Sequence, residues 1–343
     1  MGRKGRIFGF VLTGFFLWIV ARNVNGADLV AAFMGADYRL VAPAAFATFC
    51  GYLLRTFRWQ RVVRPVAPLS FVGAFGILMM GFTANNLLPA RLGEVVRAYL
   101  LHRKTGVRKT YGLATIVLER ICDGLTLIMF LAFVSLSMRL PDWGKEVQAF
   151  SSALFLAAAA AIVVVLVKES LVVRIADVLF GRLPARIGGP ILRAVGVFIS
   201  GLHALKSRRT LVLVIALSIA IWLLEASSYL LMVSAFNVSM PPLRLALAAV
   251  FLLVVVNLGI MLPSAPGYVG TFQFFAVMAL GAFAVPKETA LAVAISSHLM
   301  QYLMVTAIGI IFFVRENVGP WSVEREVAAE ADEDSPTVVI GVK

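Results

Sequence analysis

Charge is scarce in this chain. Only 14% of its 343 residues are Asp, Glu, Lys or Arg and 61% are hydrophobic, whereas soluble domains carry about 25% charged residues. Such a composition excludes a water-soluble globular protein and specifies an integral membrane protein. Cysteine is nearly absent: Cys50 and Cys122 both fall inside apolar runs, which argues for packed thiols and against a disulfide framework. The three histidines, His102, His203 and His298, are far apart, so no Cys/His metal spacing exists. There is no GxxxxGK[ST] loop, which removes a P-loop ATPase. No nucleophile elbow or catalytic domain is visible either, and neither cofactor nor metal is expected.

What is present is a series of apolar runs, at 7–24, 40–57, 69–88, 111–137, 150–167, 210–236, 243–262, 268–284 and 288–314. Crossing about 30 Å of hydrocarbon takes about 20 residues, so several of these can span. The net charge of +13 comes from basic residues in the gaps between runs. Topology and lipid contacts place them there, and a nucleic-acid partner is not expected. MGRKGR followed by IFGFVLTGFFLWIVA has the layout of a signal peptide, but its Phe and Trp density and the lack of an A-x-A site favour a retained membrane helix.

Basic residues set the expected orientation. Arg3, Lys4 and Arg6 put the N-terminus inside, as do Arg55, Arg58, Arg61 and Arg64 after the second run. The third run, 69–88, should then end outside, yet Arg91, Arg97, Arg103, Lys104, Arg108 and Lys109 follow it. Both flanks are cytoplasmic by charge. The simplest resolution is a re-entrant hairpin that turns near Asn85–Pro89, with Pro89 in the first turn of the returning helix. Residues 168–209 carry eight basic and two acidic residues and read as an amphipathic cytoplasmic segment on the inner surface. The polar, acidic tail 316–343 reads as disordered, with the C-terminus inside.

The turn has an echo. Leu88-Pro89-Ala-Arg-Leu-Gly93 recurs as Leu262-Pro263-Ser-Ala-Pro-Gly267, each preceded by an asparagine, Asn86 or Asn257. Each copy interrupts an apolar run. Opposed broken helices mark inverted-repeat transporters. The predicted fold is therefore an all-α polytopic membrane protein of 7–9 membrane segments, with two opposed re-entrant hairpins in an inverted repeat, spanning 1–315.

At the first hairpin tip, the N-terminus of the returning helix offers free N–H groups to an anion. Arg91 and Arg97 flank Glu94 at helical spacing, so Glu94 can hold one arginine while the other meets a phosphate. An interfacial salt-bridge stripe is the plainer account. Glu119, Arg120 and Asp123 fall mid-run in LERICD, where a charge must face a partner or water. Arg120 can pair with Asp123, and a structural cluster is the alternative to a working one. Glu225 stands alone mid-run and is the candidate for a proton-titrating carboxylate, with a plain hydrogen-bonded glutamate as the alternative. His298, Gln301 and Tyr302 form either a site or a polar packing seam. Arg55, Arg58 and Trp59 read as an interfacial anchor, with lipid-headgroup binding as the weaker alternative.

The stretches NNLLPARLGEVVRAYLL, LERICDGLTL at 118–127 and LPSAPGYVGTFQ at 262–273 resemble the lysylphosphatidylglycerol synthase transmembrane region, a flippase-like membrane family, over about residues 5–315. The resemblance implies lipid translocation, or support for making modified lipids such as aminoacylated phospholipids, polyprenyl-linked sugars or hopanoids. Asn86, Pro89, Arg91, Gly93, Glu94 and Arg97 match its first motif, Glu119, Arg120 and Asp123 its second, and Pro263, Pro266, Gly267 and Gly270 its third. The family often has Glu where this chain has Gln273 and Arg where it has His298. The soluble aminoacyl-transferring domain of full synthases is not seen in this sequence. The expected function is translocation of an anionic or polyprenyl-linked lipid across the inner membrane. The alternatives are a non-catalytic membrane subunit that serves a separately encoded lipid-modifying enzyme, and a proton-coupled solute transporter.

Overall fold

In hydrocarbon every backbone N–H and C=O needs a partner within the protein, and an apolar run meets that need most directly as a helix. The computed structural model describes residues 3–88, 92–183, 185–202, 207–262 and 264–323, together with Glu326, and among them no strand occurs. The helices are α1 (Arg3–Ala21), α2 (Gly26–Met34), α3 (Val41–Val63), α4 (Phe71–Leu87), α5 (Gly93–Thr105), α6 (Lys109–Ser137) and α7 (Asp142–Val167). There follow α8 (Glu169–Phe180), α9 (Ala185–Leu202), α10 (Arg208–Ala235), α11 (Pro242–Gly259), α12 (Thr271–Gly281) and α13 (Lys287–Arg315).

Five of these are long and apolar enough to cross a membrane: α3 with the turn before it, α7, α10, α11 and α13. A sixth span results if α1 and α2, bent by 86° at their junction, count as one. The chain is thus an all-α, multi-pass membrane protein with five or six candidate spans among the described residues, fewer than the seven to nine segments expected. The difference has a physical origin. α4, at 17 residues, is a shorter apolar helix, α12 has only 11 residues, and α6 carries Glu119, Arg120 and Asp123 along its length.

α4 and α5 form an antiparallel hairpin. Lys104 lies beside Gly73 at its open end and Arg97 beside Gly81 midway, and Gly93 meets Asn85 at its closed end. α11 and α12 form a second hairpin, with Gly259 against the Phe275 ring and Arg244 donating to the Phe283 carbonyl (3.4 Å) at the open end. Both rest on α13, from opposite ends. The base of the first meets Phe312, through Gly76 and the Phe75 ring. The second ends with α12 at Gly281, from which residues 282–286 lead to the start of α13 at Lys287. Their tips meet near the middle of α13, where Asn86 donates to Thr306 (3.0 Å) and Gly267 lies beside Tyr302 and the Asn86 carbonyl.

Two apolar clusters flank the meeting point. The larger joins the second half of α6 to α10, α11, α12 and the start of α13. The other joins the end of α3 to α4, α5 and the end of α13. α3 and α10 run antiparallel, in a register set by the buried Thr48–Ser228 hydroxyl pair (2.9 Å) and by Arg58 on Ser218 (2.7 Å).

The amphipathic stretch 168–209 divides into two helices. α8 leaves Leu171, Ile175 and Leu179 about half exposed, while α9 packs Phe198 and Leu202 against Leu118, Cys122 and Val62. The start of the acidic tail is docked. Val323 is 0% exposed within the cluster that holds Phe313 and Trp59, Lys104 pairs with Glu316 (2.6 Å), and Tyr99 donates to Glu326. Residues 327–343 lie outside the described residues. Because both members of the Lys104–Glu316 pair are more than a third exposed, Lys104→Ala should change stability by no more than about 1 kcal/mol. Val323→Asp, which buries a charge, should cost several times more. Thermal unfolding of the two variants in detergent checks the ranking.

Candidate functional site

Charged residues from three helices, α3, α5 and α6, meet in the interior with Ser218 and Trp222 of α10. Arg58, 1% exposed, donates from Nη1 to Asp123 (2.6 Å) and Ser218 (2.7 Å) and from Nη2 to Asp123 (3.2 Å), and it faces Glu119 at 3.5 Å. Arg97 of α5 donates to Glu119 (2.7 Å) and lies over the Trp59 ring. Arg55 faces Asp123 at 3.5 Å and covers the Trp222 ring at 4.7 Å. Trp222 itself donates to Asp123 (3.1 Å). Arg120 reaches Glu94 at 3.3 Å. Desolvating a charge is expensive, and pairing with several hydrogen bonds is what makes it tolerable. The network joins the first hairpin to α3, α6 and α10.

Beside it lies a cavity of about 150 Å³, walled by both hairpin tips and by the middles of α3, α6, α10 and α13. The first tip contributes Asn85 and Asn86, and the second Asn257 and Tyr268. Arg55 and Arg120 come from the network side, and Glu225, Tyr229, Gln301 and His298 from α10 and α13. At about 30 Å³ per water the space holds roughly five waters, enough for one ring-sized polar group but not an acyl chain.

The second tip is a strained turn. Gly267 (φ 68°), Tyr268 (φ 58°) and Gly270 (φ 79°) all have left-handed backbone. This is ordinary for glycine but costly for Tyr268, whose ring lines the cavity. Residues held in such conformations cluster at functional sites. Gln273 accepts from the Gly270 N–H (2.8 Å), which caps α12, and is hydrogen-bonded to His298 (3.0 Å). His298 stacks on Phe272. α1 covers the outside of this tip, where Thr13 accepts from the Ala265 N–H (3.0 Å).

Of the residues singled out from the sequence, Arg97, Glu119 and Asp123 enter the network, while Asn86, Arg120, Glu225 and His298 line the cavity. Gly93, Pro266, Gly267, Gly270 and Gln273 shape the two tips. Pro89, Arg91 and Pro263 lie outside the described residues. The ion pairs described for this network cross between helices. Glu94 reaches Arg120 of α6, and Asp123 binds Arg58 and Arg55 in place of the expected Arg120. The Gly93 N–H at the first tip is also taken, by Asn85 Oδ1 (2.8 Å).

Arg55, Arg58 and Trp59 are corrected from an interfacial anchor to buried members of the site. A signal existed, because Tyr52, Arg55, Trp59 and Val62 recur at intervals of three or four and mark one helical face. Trp222, Glu225 and Tyr229 do the same on α10. Among the described residues no group of three or more His, Cys, Asp and Glu could hold a metal ion.

The family model described as the lysylphosphatidylglycerol synthase TM region matches residues 6–309. The chain is 24% identical to a protein named glycosyltransferase AglD from Haloferax volcanii over 96% of its own length, and spans 57% of that protein. It is also 27% identical to a UPF0104 membrane protein of Methanocaldococcus jannaschii, covering 72% of this chain and 96% of the relative. A UPF0104 membrane protein of Methanothermobacter thermautotrophicus is 26% identical, covering 84% of this chain and 88% of the relative.

Proposed function

Because the chain belongs to the lysylphosphatidylglycerol synthase TM region family, a family of membrane domains, we propose that it moves an anionic or polyprenyl-linked lipid across the cytoplasmic membrane. The observation that carries this reading is the meeting of two opposed hairpin tips over a polar cavity halfway along α13. On this reading both hairpins are re-entrant, and both chain termini are cytoplasmic. The headgroup enters the cavity while its chains stay in lipid. Fixed dipoles and paired charges there replace the water that the headgroup leaves behind. Glu94, Arg97, Glu119, Arg120 and Asp123 exchange partners as access changes sides. The drive comes from the lipid gradient, the membrane potential or protons.

Mass spectrometry of lipids retained by the purified protein tests this, beside the Arg120→Gln variant and the bulk membrane. One anionic or polyprenyl lipid class should be enriched about tenfold with the wild type and lost with the variant, which corresponds to about 1.4 kcal/mol of binding. Bulk proportions in both samples would overturn the reading. A second reading, a membrane subunit that presents lipid to a glycosyl-transferring partner, is favoured by the match to AglD over 96% of this chain. It predicts retained lipid, but no movement of a fluorescent lipid in vesicles that contain the protein alone.

A further inference from the structure

The ion-pair network leaves one cavity carboxylate unused. Glu225 projects from the middle of α10 and is 6% exposed. It lines the cavity, and among the described residues it forms no hydrogen bond and no ion pair. Opposite it, Gly51 of α3 leaves room: a Cβ there would stand 3.7 Å from Glu225 Oε2. A buried carboxylate with no donor is costly, so this position calls for donors from whatever occupies the cavity.

The groups around it define what that occupant is. Tyr52, Tyr229, Gln301 and Asn257 line the same space, and each can donate and accept without carrying charge. Of the two cavity arginines, Arg55 is engaged with Asp123 and the Trp222 ring, while Arg120 pairs with Glu94 but keeps its buried Nε without a hydrogen-bond partner among the described residues. A phosphate beside Glu225 would face its negative charge. An ammonium would face the Arg55 guanidinium, which already covers the aromatic surface that would otherwise attract a cation. A neutral group rich in hydroxyls meets neither repulsion and supplies the missing donors. The volume of about 150 Å³ suits one ring of that kind.

Resting on the lipid-headgroup reading above, we infer that the moiety seated at Glu225 is an uncharged polyhydroxyl unit, the glycosyl or polyol part of a phospholipid headgroup. The lipid phosphate then lies toward Arg120 and the first hairpin tip. This assigns Glu225 to the substrate's hydroxyls rather than to a transported proton, and it makes the site selective among anionic lipids.

The test is a binding series on the full chain in detergent, read by tryptophan fluorescence, since Trp222 borders the cavity. The probes are dihexanoyl phosphatidylinositol, glucosyl phosphate on a decyl chain, dihexanoyl phosphatidic acid and dihexanoyl phosphatidylethanolamine. The two polyol probes should bind at least about tenfold tighter than the other two, the difference expected of hydrogen bonds to a charged group. Glu225→Gln should erase that preference, weakening the two polyol probes while phosphatidic acid binds no less tightly than to the wild type. Tyr229→Phe, which removes a single hydroxyl, should weaken only the polyol probes. Phosphatidic acid binding as tightly as the inositol lipid, or an ethanolamine preference, would overturn the inference and leave the lipid-headgroup reading standing. No binding of any probe by folded protein would overturn both. Should Glu225→Gln not fold, the wild-type ranking and Tyr229→Phe still decide.

Discussion

Replacing Arg58 by alanine should leave little folded protein. Its guanidinium is 1% exposed and makes three hydrogen bonds, two of them to Asp123. Truncation removes those donors and leaves Asp123 buried with Arg55 at 3.5 Å and the Trp222 N–H. Stranding one member of a buried pair costs about 3–5 kcal/mol, a large share of the roughly 5–15 kcal/mol that holds a native protein together. Thermal unfolding and monodispersity in detergent measure the effect. The companion variant Arg58→Met with Asp123→Leu replaces the pair by apolar side chains, and it should recover part of the loss, because Arg55 and the Trp222 N–H then lose their carboxylate partner. An Arg58→Ala protein as stable as the wild type, or a double variant no better than the single, would mean that the pairing does not hold these helices together.

Gly93→Ala is the second large effect. A Cβ at this position would overlap the Gly81 carbonyl oxygen and lie 2.6 Å from Asn85 Oδ1, the atom that accepts the Gly93 N–H. A backbone carbonyl cannot swing aside as a side chain can, so α4 and α5 must separate. Overpacking of this kind costs about 1–3 kcal/mol. Function should suffer more, because Asn85 and Asn86 form the cavity wall at that tip. Gly14→Ala is the control. Its Cβ would meet nothing within 4 Å, and within a helix the change should be neutral or stabilising by up to about 1 kcal/mol. Equal behaviour of the two variants in unfolding and lipid-retention measurements would remove the tight hairpin from the explanation.

The first hairpin was legible because two local rules conflicted. An apolar run demanded a crossing, while basic residues on both flanks forbade one. The polar break at Leu262–Gly267 was legible by its likeness to the first. The charged residues of LERICD were legible as a problem, since a mid-run carboxylate must have a partner, but the partner was not. Arg58 and Asp123 stand 65 residues apart, Arg58 and Ser218 160, and Trp222 and Asp123 99. No spacing rule reaches that far. Helical periodicity proposed Glu94 with either Arg91 or Arg97 and Arg120 with Asp123, since it sees only one helix at a time. In the folded chain the pairs described for Glu119 and Asp123 join different helices, where packing brings guanidinium and carboxylate face to face. Arg55 and Arg58 misled for a related reason. An arginine cluster ending an apolar run looks like a headgroup anchor until a neighbouring helix covers it.

α13 is one unbroken rod of 29 residues, about 43 Å long at 1.5 Å per residue. The open end of each hairpin is seated at one of its ends, and both tips are seated at its centre. That is the arrangement of a beam balanced on a fulcrum. Tilting the rod about its midpoint lifts one base while pressing the other down, and the tips barely move. On the proposed lipid-transport reading, such a rod would couple the two faces, so that opening toward one accompanies closing toward the other without any signal passing through the cavity.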